Sequence, residues 1–231
     1  MKRLRVALPA GMIVALPAAA SAAALPAAAT QNAPSLRAEM APAAGADWRR
    51  VARPADQIRL RQWRTSFLAG LEAARIAGFA AELAGEGALL DPDAGRVDAP
   101  PPGAYRCRVV KLGARPGATR AFAAGVATPC RVTENAGRLR FQILDGVQRP
   151  AGRIYPGRGA QPPVFLGSLA LGDEVRAIGY GRDGGRDLAG LVEAVGPTER
   201  GGAAGSARWR IILPAPQFES LVDVIEIVPA G

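Results

Sequence analysis

Residues 138–143 read Arg-Leu-Arg-Phe-Gln-Ile and residues 105–109 read Tyr-Arg-Cys-Arg-Val. In both stretches an apolar side chain alternates with a polar one, the period of a strand with one buried face. Residues 208–213 follow suit, with Trp209, Ile211 and Leu213 on one face and Arg208 and Arg210 on the other, solvated one. Further strands are expected at 130–133, 148–155, 164–171, 175–180, 188–195 and 221–228, where apolar and β-branched runs are bounded by Gly, Pro and Asp clusters. The stretch Asp183-Gly184-Gly185-Arg186-Asp187 is the clearest hairpin signal, since glycine allows the positive φ that a tight turn needs. About eight short strands in succession, with no long helix between them, predict a mainly β (α+β) fold built on an antiparallel meander. Closing that meander into a lipocalin-like barrel removes its exposed edges, and a two-sheet β-sandwich is the alternative.

Upstream of the strands the period changes. From Pro54, a residue suited to the first helical turn, Leu60, Trp63, Phe67, Leu71 and Ala74 recur at three- and four-residue steps. They form one apolar stripe that should cover a flank or end of the core. Gly78 is expected to break the helix, a second short helical turn runs to Leu83, and the Gly and Pro residues of 85–103 make a connector. The helical part is thus 54–84 and the β-rich part 104–231, together one domain over 47–231. Residues 23–46, rich in Ala and Pro without apolar period, read as a disordered tether.

The first 22 residues carry Lys2, Arg3 and Arg5 ahead of an apolar run, and then Ala20-Ser21-Ala22. That is the layout of a Sec-type signal peptide cleaved after Ala22. The apolar run is about 14 residues, short of the roughly 20 that span a bilayer, so no stable membrane insertion is expected after cleavage. A periplasmic or secreted location follows. Losing the three basic residues lowers the net charge of +9 to +6. All basic residues but Lys2 and Lys111 are arginine, scattered singly along the chain, which points away from nucleic acid as a partner.

Histidine is absent and there are two cysteines, so the usual metal ligands and neutral-pH proton shuttles are almost missing. No metal and no cofactor is expected. In an oxidising compartment Cys107 and Cys130 read as one disulfide, closing a loop of about 23 residues and contributing on the order of 3 kcal/mol. Ser66, Ser168 and Ser220 lack the G-x-S-x-G context, no histidine exists to activate them, and nothing in the sequence places Lys111 beside a serine.

At Asp47-Trp48-Arg49-Arg50, Gly87-Ala88-Leu89-Leu90-Asp91-Pro92, Tyr105-Arg106-Cys107-Arg108, Gln148-Arg149-Pro150, Phe165-Leu166-Gly167, Tyr180-Gly181-Arg182-Asp183, Phe218-Glu219-Ser220-Leu221 and Val224-Ile225-Glu226, the chain resembles a known family. It is similar to the exported alphaproteobacterial family called domain of unknown function 4893 (DUF 4893). The resemblance runs in order through nearly all of 47–231, departs at the Gly-rich stretch 197–206, where it implies a flexible surface loop, and carries no activity with it.

Two polar groups are candidates for a ligand site. Tyr180, Arg182, Asp183, Arg186 and Asp187 are followed by Glu193 on the next strand, and Gln148, Arg149, Arg153 and Tyr155 present guanidinium forks suited to an anion or a partner's carboxylate. The plainer expectation has Asp183 and Asp187 capping a hairpin, and Glu219, Asp223 and Glu226 pairing with the second group's arginines across a sheet. The composite reading is a noncatalytic binding or envelope-interaction domain whose partner is a small apolar molecule or another envelope protein. The alternatives are a carboxylate-dependent hydrolase or isomerase using Asp183, Asp187 and Glu193, and a structural envelope component. Mass spectrometry of the exported protein is expected to find Ala23 as its first residue; a retained Met1 on membrane-bound material would overturn the export reading.

Overall fold

The computed structural model describes residues 47–196 and 207–231. The expected signal peptide, the tether and the stretch 197–206 lie outside the described residues. Nine strands are found among them: β1 (Gly103–Ala114), β2 (Phe122–Ala124), β3 (Thr128–Asn135), β4 (Arg138–Ile143), β5 (Gln148–Tyr155), β6 (Val164–Leu171), β7 (Asp187–Val195), β8 (Arg208–Pro214) and β9 (Ser220–Pro229). From β3 to β9 each strand pairs antiparallel with the next, and β1 pairs with both β3 and β9. Eight strands thus close into a barrel, as the meander predicts, and the sandwich alternative is ruled out. β1 has two neighbours along one edge, β3 at Gly103–Cys107 and β2 at Val110–Leu112. The Cys107–Cys130 disulfide lies where the edge passes from one to the other, with 5.8 Å between the Cα atoms. At three residues, β2 is too short to leave a periodic signal.

Inward-facing residues fill the middle of the barrel. Tyr105 meets Trp209 edge-on at 6.0 Å, and Phe141 meets Phe165 at 5.9 Å. Phe165 has room because Gly152 and Gly167 face each other across β5 and β6: a Cβ on Gly167 would come within 2.4 Å of the Phe165 ring. At one end Lys111 bonds Gln148 at 3.0 Å and pairs with Glu219 and Asp223. An enclosed cavity beside them is about 30 Å³, room for one or two waters, and a wider groove of about 410 Å³ opens on the other side of Lys111 and Gln148.

The apolar stripe lies against the outside of the barrel, on its flank. It is divided between α1 (Pro54–Arg61) and α2 (Trp63–Ile76), with α3 (Ala80–Ala84) after the break at Gly78, whose φ is 93°. Leu60 packs on Tyr155, Val164, Leu166 and Leu191, whereas Phe67 and Ala74 pack on Val110, Leu112, Ile212 and Val224. Trp63 touches both groups. The strands beneath the helices are therefore buried on both faces.

Three sequence expectations are corrected. Val175–Tyr180 is not a strand: the edge of β6 is taken by β7, and 172–186 is a loop. Asp183–Asp187 closes a turn, with the Arg186 and Asp187 amides both 3.0 Å from the Asp183 carbonyl, but it ends that long loop and its glycines are not left-handed. The tight two-residue hairpin is instead Ala136-Gly137, with φ of 50° and 70°, between β3 and β4. Third, Arg208 and Arg210 face outward but not to solvent, being 4 % and 0 % exposed.

Arg210 occupies the centre of a row of alternating charge across four adjacent strands: Glu193 on β7, Arg210 on β8, Glu226 on β9 and Arg108 on β1 are register partners. Arg210 donates to Glu193 at 2.8 and 2.9 Å, and to the carbonyls of Leu89 at 2.8 Å and Asp91 at 2.7 Å. Arg108 bonds Glu226 and Glu86, and Arg208 pairs with Glu226 at 2.6 Å. Removing one member of a buried pair strands the other charge. Arg210→Ala is expected to lower stability by about 3–5 kcal/mol, and Arg210→Met with Glu193→Leu to recover most of it, as read by denaturant unfolding.

Candidate functional site

The helices leave the outer face of β4 and β5 uncovered except at Tyr155, on which Leu60 packs. Outward positions on these strands are Arg140 and Gln142, then Ala151, Arg153 and Tyr155; Arg140 and Arg153 are direct register partners. Two like charges directly opposite on a sheet repel, so this pairing works against the fold. The loop 172–186 descends beside them and brings Arg176, Ala177, Gly179 and Tyr180 to form the other wall. Between the walls is a groove of about 380 Å³, also lined by Val51, Gly152 and Leu166.

The loop is fastened at both ends. At one, Arg149 donates to the carbonyls of Gly146, Gly172 and Glu174. The Glu174 carboxylate accepts from Arg186 and from the Leu171 amide, and those bonds hold it below the usual carboxylate range. At the other end Tyr180 reaches under the start of α1. Its hydroxyl donates to Asp56 and accepts from the Arg53 amide at 2.9 Å. Burial, and after it the bond to Asp56, raises this phenol well above its ordinary value. Asp56 also takes Arg59, whose guanidinium reaches the Ala215 carbonyl at 2.9 Å. Asp187 is 1 % exposed, accepts from the Gly181 amide at 2.8 Å and pairs with Arg53 at 3.1 Å.

The groove contains Arg153, Tyr155 and Tyr180 of the sequence candidates. Asp187 lies next to it in the buried cluster, and Arg149 is committed to backbone carbonyls. Asp183 is half-exposed in its turn, 3.5 Å from Arg186. Arg182 lies in the same loop, 172–186, and is not among the residues lining the groove. Glu193 stands six residues beyond Asp187 on β7, about 20 Å along the strand, where it serves Arg210. Asp183, Asp187 and Glu193 therefore do not converge on one cleft. The expected pairing of Glu219, Asp223 and Glu226 with the β5 arginines is also corrected: β5 and β9 are not neighbours, Glu226 serves Arg108 and Arg208, and the other two serve Lys111.

Arg140, Arg176 and Asp56 were not singled out from the sequence. Only the β4–β5 register sets Arg140 against Arg153, and only the path of the loop adds Arg176. Lys111 and Ser220 do share a carboxylate, Asp223, but Ser220 is 1 % exposed and donates to it, so it is shielded from any substrate.

Burial raises the Asp187 carboxyl above its ordinary value, and the Gly181 amide and Arg53 offset this only in part. The Arg53 side chain is 42 % exposed, so solvent screens its charge. A carboxyl with a raised folded-state pKa costs stability as pH climbs from about 4, the unfolded value, through the folded one. Asp187→Asn is expected to match wild type near pH 3.5 and to gain on it progressively towards pH 7 in parallel thermal melts.

The chain has no match among curated proteins or solved structures. The profile of one family, described as a domain of unknown function (DUF4893), matches residues 48–227, from the turn before α1 into β9. That span holds every residue lining the groove and all four members of the charge row, and it places the chain in the DUF4893 family.

Proposed function

We propose that the protein is a noncatalytic binding domain of the cell envelope, exported to the periplasm or beyond, and that it recognises its ligand on the outside of the barrel. The observation that carries this reading is the groove between β4, β5 and the loop 172–186, which three arginines line and in which no acidic side chain takes part. The middle of the barrel supports it by being filled. Lipocalin-like binding needs a hollow barrel, and here aromatic and aliphatic side chains occupy that space. The middle of the barrel thus leaves little space for a small apolar ligand, though a groove of about 410 Å³ opens at one end among Val109, Lys111, Ile143 and Gln148; the unpaired arginines of the outer groove favour polar and anionic partners.

Export rests on the N-terminal charge and apolar pattern together with the disulfide, a bond that persists in oxidising compartments. The barrel is apolar inside and carries charged and helix-covered faces outside, the inverse of a barrel built to span a lipid bilayer. Among the described residues, no helix is long and apolar enough to cross a membrane.

Native mass spectrometry of the full chain, isolated gently from the envelope fraction of its own host, is the test. A stoichiometric adduct that disappears in Arg153→Gln is expected. An adduct retained in that variant, or turnover of an envelope glycan or ester abolished by Asp187→Asn without loss of stability, would sink the reading.

A further inference from the structure

Arg140, Arg153 and Arg176 line one groove, and none of them makes an ion pair or a side-chain hydrogen bond with any described residue. The other arginines of this face of the loop show the contrast. Arg149 takes three carbonyls and Arg186 pairs with Glu174 and Asp183. Acidic residues are available within the same loop, at Asp173, Glu174 and Asp183, yet the groove lining includes none of them. The Arg140–Arg153 pair is moreover in direct register, with side chains leaving neighbouring strands about 5 Å apart on the same face. An arrangement that costs repulsion when empty becomes favourable when an anion sits between the charges.

Resting on the binding-domain reading above, we infer that this groove is a site for a phosphate monoester, with the phosphoryl group held among Arg140, Arg153 and Arg176. Two forks come from the sheet wall and the third from the loop wall. Three guanidinium forks on two walls can serve the three peripheral oxygens of a tetrahedral dianion, whereas a planar carboxylate has two oxygens and is satisfied by one fork. The volume of about 380 Å³ exceeds a bare ion and falls within the range of small-molecule sites. The remaining space runs along Gln142, Ala151, Tyr155 and Gly179, a mixed lining suited to a short polar body on the ester oxygen. Such a group exists both as a soluble sugar or glycerol phosphate and as a lipid headgroup.

Calorimetric titration of the full chain with glycerol 3-phosphate, inorganic phosphate and citrate, alongside cosedimentation with vesicles of phosphatidic acid in phosphatidylcholine, tests the assignment and separates its sources. Glycerol 3-phosphate is expected to bind at one site. Arg140→Gln and Arg153→Gln should each weaken it at least tenfold, and Arg120→Gln, remote on the exposed loop between β1 and β2, should leave it unchanged. Arg120→Gln should keep the wild-type melting temperature, and Arg140→Gln and Arg153→Gln should keep or raise it, since each removes one of two repelling charges. Vesicle binding that also needs Arg140 and Arg153 identifies the lipid headgroup as a source; binding of the soluble ester alone identifies the free compound. Equal weakening by Arg120→Gln, or no binding by any phosphate, overturns the inference. Arginine-dependent binding of citrate without phosphate overturns it too, while leaving the binding-domain reading in place.

Discussion

A guanidinium with no solvent exposure is tolerated in this fold because it makes five hydrogen bonds to four oxygen atoms. Arg210 has the Glu193 carboxylate on one side and the carbonyls of Ala88, Leu89 and Asp91 above, with the Phe67 ring 5.6 Å away. This single residue joins parts that apolar packing and the Arg108–Glu86 pair also bring together. The carbonyls belong to the segment after α3, Phe67 to α2, and Glu193 to the neighbouring strand. The helical layer is thus fastened to the barrel by hydrogen bonds to charge as well as by apolar contact. Such groups fix one arrangement among several that would bury similar area, and here the position of the segment 86–91 relative to β8 is what they fix.

The same logic explains why the two sides of the barrel differ. Where helices cover the sheet, charges alternate in sign from strand to strand and are used up internally. Where the sheet is bare, on β4 and β5, charges of one sign stand together. The first arrangement stabilises the fold, and the second is left to act on molecules outside it.

Much of the architecture was legible in the sequence. The two-residue period at 105–109 and 138–143 gives strands, and both occur, but the outer face of β1 is solvated only as far as Arg106, Arg108 being covered and paired with Glu86 and Glu226. The three- and four-residue steps from Leu60 to Ala74 give the helical stripe, and Gly78 ends it. The same reasoning failed at Arg208 and Arg210, because alternation reports which residues share a face and not what covers that face. It failed again at 175–180, whose apolar residues look like a strand; Gly172, Gly179 and Gly181 take left-handed φ values and turn the chain away. Of the groove, Arg153, Tyr155 and Tyr180 were found from composition, but the site itself depends on register and on the course of a loop. Neither leaves a trace in local periodicity.

The seam of the barrel has a consequence for how the chain acquires its structure. β1 and β9, which form the longest ladder, are separated by more than a hundred residues, while every other barrel pairing joins strands close in sequence. Hairpins such as β3–β4 and the Cys107–Cys130 loop are local and quick to form, but the cylinder stays an open, curling ribbon until the segment Ser220–Pro229 arrives. High sequence separation at the last contact makes the closing step slow and leaves two unpaired edges exposed while it is awaited. A polypeptide emerging from one end first is therefore held in a threadable, unclosed form for almost its whole length, and it locks only when nearly all of it is in the same compartment.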